Sequence, residues 1–191
     1  MNLSTVADDS TARTSAEIAV QRAEHLFALN AKNVIELCVG PSLYTLENSY
    51  NLYEIDVTGN DIDIRWKKYY PAGKWIIGDA CKINCNNFDS VIFAPPLSKG
   101  CSGNREDSLS IDDVVPSYKD FLLKIIEKKF EGNIVMILPA RSFATRKDRK
   151  QLYKLLSFIN ELDFNVELIK MRAGRRGIVK YIDLYLNAVK N

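Results

Sequence analysis

The sequence predicts an α/β fold in which helices cover both faces of a seven-stranded, mostly parallel sheet with an antiparallel last strand. Short apolar runs alternate with amphipathic segments along the chain, which is typical of parallel sheets with helical crossovers. The run 134–139 is apolar throughout, as expected of a strand that is buried on both faces. Two later strands, 165–171 and 178–189, are joined by a short glycine-containing turn and therefore predict an antiparallel hairpin.

The other elements follow from caps and periodicity. Thr14 and Glu17 fit a capping box, and apolar residues at helical spacing continue to about residue 30, which predicts an N-terminal helix over 14–30. The remaining predicted strands cover 34–39, 53–62, 74–80 and 88–94. The remaining predicted helices cover 43–50, 63–70, 115–130 and 145–162. A long polar loop over 98–113 is predicted to be functional, because long loops in compact domains often are.

Length and composition limit the class of protein. The chain has 191 residues, of which 47% are hydrophobic and 26% charged, so we expect one soluble domain over 1–191 with its core over 33–189. No apolar run approaches the roughly 20 residues that cross a bilayer. The first residues are polar and do not fit a targeting peptide, so we expect a cytoplasmic location and no membrane contact.

The cysteines do not predict a metal site. The chain has four of them, which fits a reducing compartment. Cys81 and Cys85 form a closely spaced pair, but the single histidine, His25, is distant in the sequence and no second pair exists. We therefore predict free thiols and no bound metal.

The stretch 33–42 carries the first candidate site. It predicts a buried strand that contains one carboxylate, Glu36, and a charge in such a strand is costly without a partner. Gly40 lies in the small-residue turn that follows, where the absence of a side chain lets a ligand approach the backbone. Cys38 and Ser42 flank this glycine.

Two further strand ends carry carboxylates. Asp61 follows Gly40 by about 20 residues, a spacing that places two adjacent strand ends beside one ligand. If the second strand ends earlier, Asp56 or Glu54 would be the carboxylate at its end instead of Asp61. Alternatively, Asp61 would only cap the helix that follows. The third strand ends at Asp79.

The fourth strand leads into Pro95 and Pro96. Two consecutive prolines cannot continue a sheet, so the chain must leave the strand in a rigid turn. Ala94 precedes the prolines, and Leu97 and Ser98 follow them.

In this order and spacing, the strand ends resemble the motifs of class I S-adenosylmethionine (SAM) dependent methyltransferases, which have a Rossmann-like fold. The resemblance covers about 14–189 and implies SAM as the cofactor and S-adenosylhomocysteine as its product. In that family, the carboxylate at the position of Asp61 binds the ribose hydroxyls, and the residue at Asp79 binds the adenine amino group. The implied cofactor-binding residues are Glu36, Cys38, Gly40, Ser42, Asp61, Ile62, Asp79 and Ala80.

The proline turn resembles the catalytic motif of methyltransferases that act on planar amino groups. There, Asp, Asn or Ser precedes two prolines and an aromatic residue follows them. Ala94 and Leu97 occupy these two positions here, so the side-chain acceptor and the stacking ring are missing, while the carbonyl and the rigid turn remain. Asp89 is one candidate replacement for the acceptor. The implied catalytic residues are Ala94, Pro95, Pro96, Ser98 and Asn104.

Charge is distributed unevenly. Residues 141–180 contain eleven Lys and Arg against four Asp and Glu, whereas the whole chain has a net charge of +2. A basic segment fits a polyanionic partner such as RNA, and a solvated basic surface is the alternative. We therefore predict a methyltransferase that acts on a nucleic acid base, with RNA favoured. The predicted RNA contacts are Arg146, Lys147, Arg149, Lys150, Arg175 and Arg176.

Two other functions are consistent with the sequence. A non-catalytic methyltransferase-like protein, which works with a partner subunit, would explain the altered residues around the prolines. A nicotinamide-dependent oxidoreductase is disfavoured, because the chain lacks a Gly-x-Gly-x-x-Gly turn and ends in a hairpin.

Overall fold

A computed structural model describes residues 14–69, 74–94, 111–139, 145–174 and 176–188 of the chain. The described strands form one sheet and the described helices pack on its two faces. The strands are β1 Asn33–Leu37, β2 Asp56–Asp61, β3 Lys74–Ile77, β4 Ser90–Phe93, β5 Asn133–Pro139, β6 Phe164–Ala173 and β7 Ile178–Ala188. The α-helices are α1 Ala16–Ala28, α2 Leu43–Asn51, α3 Ile111–Glu127 and α4 Arg146–Glu161.

The sheet has seven strands in the order β3-β2-β1-β4-β5-β7-β6. Strands β1 to β5 are parallel, and β7 is antiparallel to both of its neighbours, β5 and β6. The order reverses between β1 and β4, and ligands of open α/β sheets bind beside such a switch point, outside the carboxyl ends of the strands. The predicted fold class is therefore confirmed, including the terminal hairpin.

Alternating side chains of the strands divide the core into two layers. Ile35 and Leu37 of β1 point towards α3 and α4, while Val34 points towards α1 and α2. Within α1, residues at helical spacing such as Ile18 and Leu26 are buried, which explains why this segment folds as a helix against the sheet.

Several predicted boundaries were wrong. The N-cap position of the first helix is Ser15, whose side chain makes no capping bond, and the backbone N–H of Thr14 donates to the Ser42 hydroxyl at 3.0 Å. The carboxylate of Glu17 accepts a bond from the N–H of Gly174 at 2.7 Å, so it is not part of a capping box. These two contacts join residues that are far apart in the sequence, which local pattern cannot anticipate.

Other corrections concern element length and type. β2 begins at Asp56, three residues later than predicted, because α2 and a turn occupy the residues before it. The segment predicted as a helix over 63–70 is a short 3-10 helix at Ile64–Tyr69. Helix α3 begins at Ile111, inside the predicted polar loop, and Ile111 and Val114 stand in the sequence at helical spacing from Val115 and Tyr118, a signal that the prediction missed.

Candidate functional site

The candidate site lies at the edge of the sheet where Leu37, Asp61, Ile77 and Phe93 end the parallel strands β1 to β4, here called the carboxyl edge. The turns that leave these strands contain most of the predicted cofactor-binding residues. Parallel strands bring their carboxyl ends together, so residues separated by tens of positions in the sequence meet here.

The turn after β1 is held against the end of β2 by backbone and side-chain bonds. Cys38 and Gly40 both have positive φ angles, of 60° and 53°. The N–H of Val39 donates to the carbonyl of Asn60 at 2.9 Å, and the N–H of Gly40 donates to Oδ2 of Asp61 at 2.9 Å. Among the described residues, a Cβ atom placed on Gly40 would meet nothing within 4 Å, which leaves room beside this turn for a ligand.

Asp61 is the carboxylate at the centre of this arrangement. Its Oδ2 accepts from Gly40, and its Oδ1 accepts from the N–H of Asp63 at 2.9 Å. A carboxylate offers about four acceptor sites, so further donors can still bind to it. Ile62, the next residue, is 74% exposed, so its apolar side chain is accessible for contact with a flat apolar ligand.

The alternatives to Asp61 lie elsewhere. Asp56 begins β2 at the opposite edge of the sheet, where it forms an ion pair with Lys74 at 2.7 Å. Glu54 precedes the strand and is exposed. The structure therefore leaves Asp61 as the only one of the three at the carboxyl edge.

The turn after β3 is positioned by a residue that the sequence analysis did not single out. Asn60 is fully buried, and its Nδ2 donates to the carbonyls of Ile76 and Gly78, both at 3.0 Å. Asp79 follows this turn, and its Oδ1 accepts from the N–H of Cys81 at 3.0 Å while its side chain remains largely exposed. Ala80 begins the 3-10 helix that comes next.

Cys38 lies in the β1 turn with its thiol largely buried. Burial, followed by the nearby carboxylate of Asp61, raises the pKa of this thiol to about 12. The thiol is therefore neutral near neutral pH, and thiolate nucleophile chemistry at this position is disfavoured.

Ser42 is buried, and its hydroxyl accepts the N–H of Thr14. This bond ties the start of α1 to the turn after β1. The N-terminal helix and the glycine turn are therefore in direct contact beside the carboxyl edge.

Glu36 lies in a buried polar cluster beneath α1. Arg22 of α1 donates to Asp183 of β7 through Nε at 2.6 Å, and its Nη1 lies 4.0 Å from Oε2 of Glu36. The hydroxyls of Tyr50 and Tyr185 belong to the same electrostatic network. Burial raises the pKa of Glu36 to about 7, an effect that Arg22 opposes and Asp183 reinforces.

Neither Arg22 nor Asp183 was identified from the sequence, although a signal exists. Arg22 occupies the apolar stripe of α1 at helical spacing from Ile18, Ala19 and Leu26. Asp183 interrupts a run of apolar residues in β7. A charge at a core position of a helix and another in an apolar strand together suggest a buried pair.

The predicted catalytic residues are only partly described. Ala94 follows β4 at the carboxyl edge, where its N–H donates to the carbonyl of Leu37 at 3.3 Å. The candidates outside the described residues are Pro95, Pro96, Ser98 and Asn104.

Asp89 is not a substitute acceptor at the site. It precedes β4 at the opposite edge of the sheet, and its Oδ2 accepts from the N–H groups of Lys32 and Asn33 at 2.7 and 2.8 Å. It therefore holds the start of β1 in place. The prediction failed because the beginning and the end of a short strand are only a few residues apart in sequence but lie on opposite sides of the molecule.

The basic residues follow the same topology. β5 ends at the carboxyl edge, so α4, which comes after it, begins near that edge. β7 runs antiparallel to both β5 and β6, so β6 runs in the same direction as β5. The turn from β6 to β7 therefore also lies at the carboxyl edge. Arg175 lies outside the described residues. The exposed basic residues here are Arg146, Lys147, Arg149, Lys150 and Arg176.

Among the described residues, no group of three or more His, Cys, Asp and Glu side chains could hold a metal ion. Of the helices within those same ranges, none combines the length and the apolarity needed to cross a membrane.

The described fold is the class I SAM-dependent methyltransferase fold. No protein-family model matches the chain, and no curated protein matches it in sequence. The likeness to solved structures is at low sequence identity.

Three solved structures illustrate that likeness. The methyltransferase domain of the bacterial protein CtHen1-C superposes with a TM-score of 0.63 at 11% identity, over 91% of this chain and 98% of that one. The Mtq2–Trm112 complex of E. cuniculi, which methylates the translation termination factor eRF1, gives 0.57 at 15% identity over 92% and 97%. A Burkholderia thailandensis 1,6-didemethyltoxoflavin N1-methyltransferase, crystallised with S-adenosylhomocysteine, gives 0.54 at 11% identity over 91% and 80%.

Proposed function

We propose that this chain is a SAM-dependent methyltransferase that acts on a base of a nucleic acid, with RNA as the favoured substrate. The observation that supports SAM as the cofactor is the hydrogen bond from the N–H of Gly40 to Asp61 at the carboxyl edge, with the exposed side chain of Ile62 next to Asp61. These features suit a nucleoside. The carboxylate can accept from the ribose hydroxyls, the glycine turn leaves room for the ligand, and the apolar side chain can contact a flat base.

The described residues fit SAM at this edge. Asp61 keeps acceptor capacity for the ribose hydroxyls, and Ile62 offers an apolar surface to adenine. Asp79, which Asn60 helps to position, is exposed for the adenine amino group. When bound, SAM supplies an electrophilic methyl group on sulfur.

The role of the chain's own residues is mainly to position the reactants. Methyl transfer requires alignment of nucleophile, methyl carbon and sulfur, and holding reactants in line contributes a large part of such a rate enhancement. The side chain of Ala94 provides no acceptor, so the backbone carbonyls of the proline turn and the side chains of Ser98 and Asn104 are the candidates for accepting the target's proton.

The nucleic acid part of the proposal rests on the distribution of charge. The start of α4 and the β6–β7 turn bring exposed arginine and lysine side chains to the edge at which Ala94 lies. A polyanionic substrate would be attracted to this edge, and its base would be presented to the cofactor.

Calorimetry with SAM, S-adenosylhomocysteine and NADH tests the cofactor. We expect micromolar binding of the two sulfur ligands and none of NADH. Asp61→Ala should weaken SAM binding by about 1–3 kcal/mol through loss of charge-assisted bonds. Asp56→Ala, which removes a carboxylate from the opposite end of β2, is the matched control and should leave the affinity unchanged. NADH binding would instead support an oxidoreductase.

The second candidate is a non-catalytic SAM-binding protein, which the alanine at position 94 favours. It predicts SAM binding without methyl transfer to any of a panel of RNAs, nucleotides and proteins. In that case we expect a partner subunit to complete the site. Capture of that subunit, followed by a repeat of the methylation assay with both proteins, would test this.

A further inference from the structure

We propose that the outward face of α4 binds a single strand of RNA, with Tyr153 as a stacking platform between cationic side chains. This inference rests on the proposed function and names how its substrate is held. The outward face is defined by residues at helical spacing: Arg146, Arg149, Lys150, Tyr153 and Lys154.

The geometry of α4 separates this face from the core. Its buried residues, Leu152, Leu155 and Ile159, form one stripe against the sheet. With about 100° between successive residues, Arg146, Lys150 and Tyr153 fall on the side opposite that stripe. All cations of the outward face are exposed, and Tyr153 is 69% exposed.

The positive charge of this face is not neutralised locally. Among the described residues, no carboxylate lies within ion-pair distance of its cations. The one acidic residue in the first turn, Asp148, is occupied in a capping box, where its Oδ2 accepts from the N–H and the hydroxyl of Thr145. The other acidic residue of the helix, Glu161, is at its far end and accepts from Ser157 at 3.3 Å.

The chemistry of the face selects its partner. Cations around an exposed aromatic ring are the usual arrangement for single-stranded nucleic acid, because phosphates pair with the cations while a base stacks on the ring. A membrane is disfavoured, because the apolar stripe of α4 is buried and the outward face presents only one large ring. An acidic peptide would use the cations but would have no need of the ring.

Position links this face to the site. α4 begins near the carboxyl edge, so a strand that follows the helix runs towards Ala94. From Arg146 to Tyr153 the helix rises by about 10 Å, roughly the length of three stacked nucleotides. The face can therefore hold the nucleotides next to a target base.

Binding of a fluorescent single-stranded oligoadenylate, with an RNA hairpin as competitor, tests the proposal. Tyr153→Ala should weaken single-strand binding by roughly 5- to 100-fold, whereas Tyr153→Phe should retain it because stacking needs only the ring. The Arg149→Ala/Lys150→Ala double variant should lower the slope of log affinity against log salt by about 1.4. Lys129→Ala, just after α3 and at the opposite edge of the sheet from the start of α4, should have no effect. Circular dichroism should show that each variant is folded.

The outcomes separate the two proposals. SAM binding without single-strand binding, or single-strand binding that Tyr153→Ala leaves unchanged, would overturn the assignment of this face and leave the cofactor proposal standing. Preference for the hairpin over the single strand would overturn it as well. Single-strand binding that depends on Tyr153 in a chain that does not bind SAM would support the face and refute the methyltransferase.

Discussion

The guanidinium of Arg22 donates to both carboxylate oxygens of Asp183, from Nε at 2.6 Å and from Nη2 at 3.3 Å, and both side chains are fully buried. The contact joins α1 to β7, two elements from opposite ends of the chain. A two-point contact between a planar guanidinium and a carboxylate fixes orientation as well as distance. The angle at which α1 crosses the sheet is therefore set by this pair in addition to apolar packing.

Removing one partner of this pair should be costly. Arg22→Met leaves the carboxylate of Asp183 buried without its cation, so the free energy of unfolding should fall by about 3–5 kcal/mol in urea denaturation. The double variant Arg22→Met/Asp183→Leu removes both charges and should recover most of that loss. A single variant as stable as wild type would show that the pair does not hold α1.

Stability should depend on pH through Glu36. Its pKa is about 7 in the folded chain because of burial, and an unfolded glutamate has a pKa of about 4.3. The folded state therefore binds more protons between these values, and stability should fall as pH rises through this window, by a few kcal/mol in total. Glu36→Gln keeps the shape, removes the titration and should flatten the curve. An equally steep dependence in Glu36→Gln would assign it to other groups.

Asn60 should matter for both stability and SAM affinity. Asn60→Leu leaves the carbonyls of Ile76 and Gly78 without their donor, at a cost of about 1–3 kcal/mol in unfolding free energy. It also releases the turn that carries Asp79, so SAM should bind more weakly to the folded variant. Asn84→Leu, a change at an exposed asparagine in the loop that follows, is the control for a general effect of the substitution. Unchanged SAM affinity would remove the β3 turn from the site.

The backbone at Cys38 should favour glycine over alanine. Its φ of 60° lies in the left-handed region, which costs residues with a Cβ roughly 1–2 kcal/mol. Cys38→Ala and Cys38→Gly both delete the thiol, so their difference isolates the backbone, and the glycine variant should be more stable by about 1 kcal/mol in thermal denaturation. If alanine is equally stable, the turn adopts another conformation.

Much of this architecture was predictable from local pattern. The mostly parallel sheet, the terminal hairpin and the placement of Asp61 at the end of β2 follow from apolar periodicity and spacing, because both reflect how parallel strands are connected. The same periodicity could not distinguish the two ends of a short strand, and so it misplaced Asp89.

Long-range polar pairs were not predictable in the same way. Arg22 and Asp183 are 161 residues apart, and Thr14 and Ser42 are 28 apart, so no local window contains both partners. In the sequence, each residue alone indicates an ordinary surface role, such as an arginine on a helix or a hydroxyl near a helix cap. Only the three-dimensional arrangement shows that these pairs hold α1 against the turn after β1 and against β7.

The position of Asp183 also bears on the order in which the fold is assembled. Arg22 precedes Asp183 by 161 residues in the sequence, and β7 lies between β5 and β6 in the sheet. Docking of α1 before β7 is in place would bury the Arg22 guanidinium without the carboxylate that binds it most closely, which is unfavourable. We therefore expect that α1 packs stably only after β7 has joined the sheet, so that a chain truncated before β7 would lack a docked first helix.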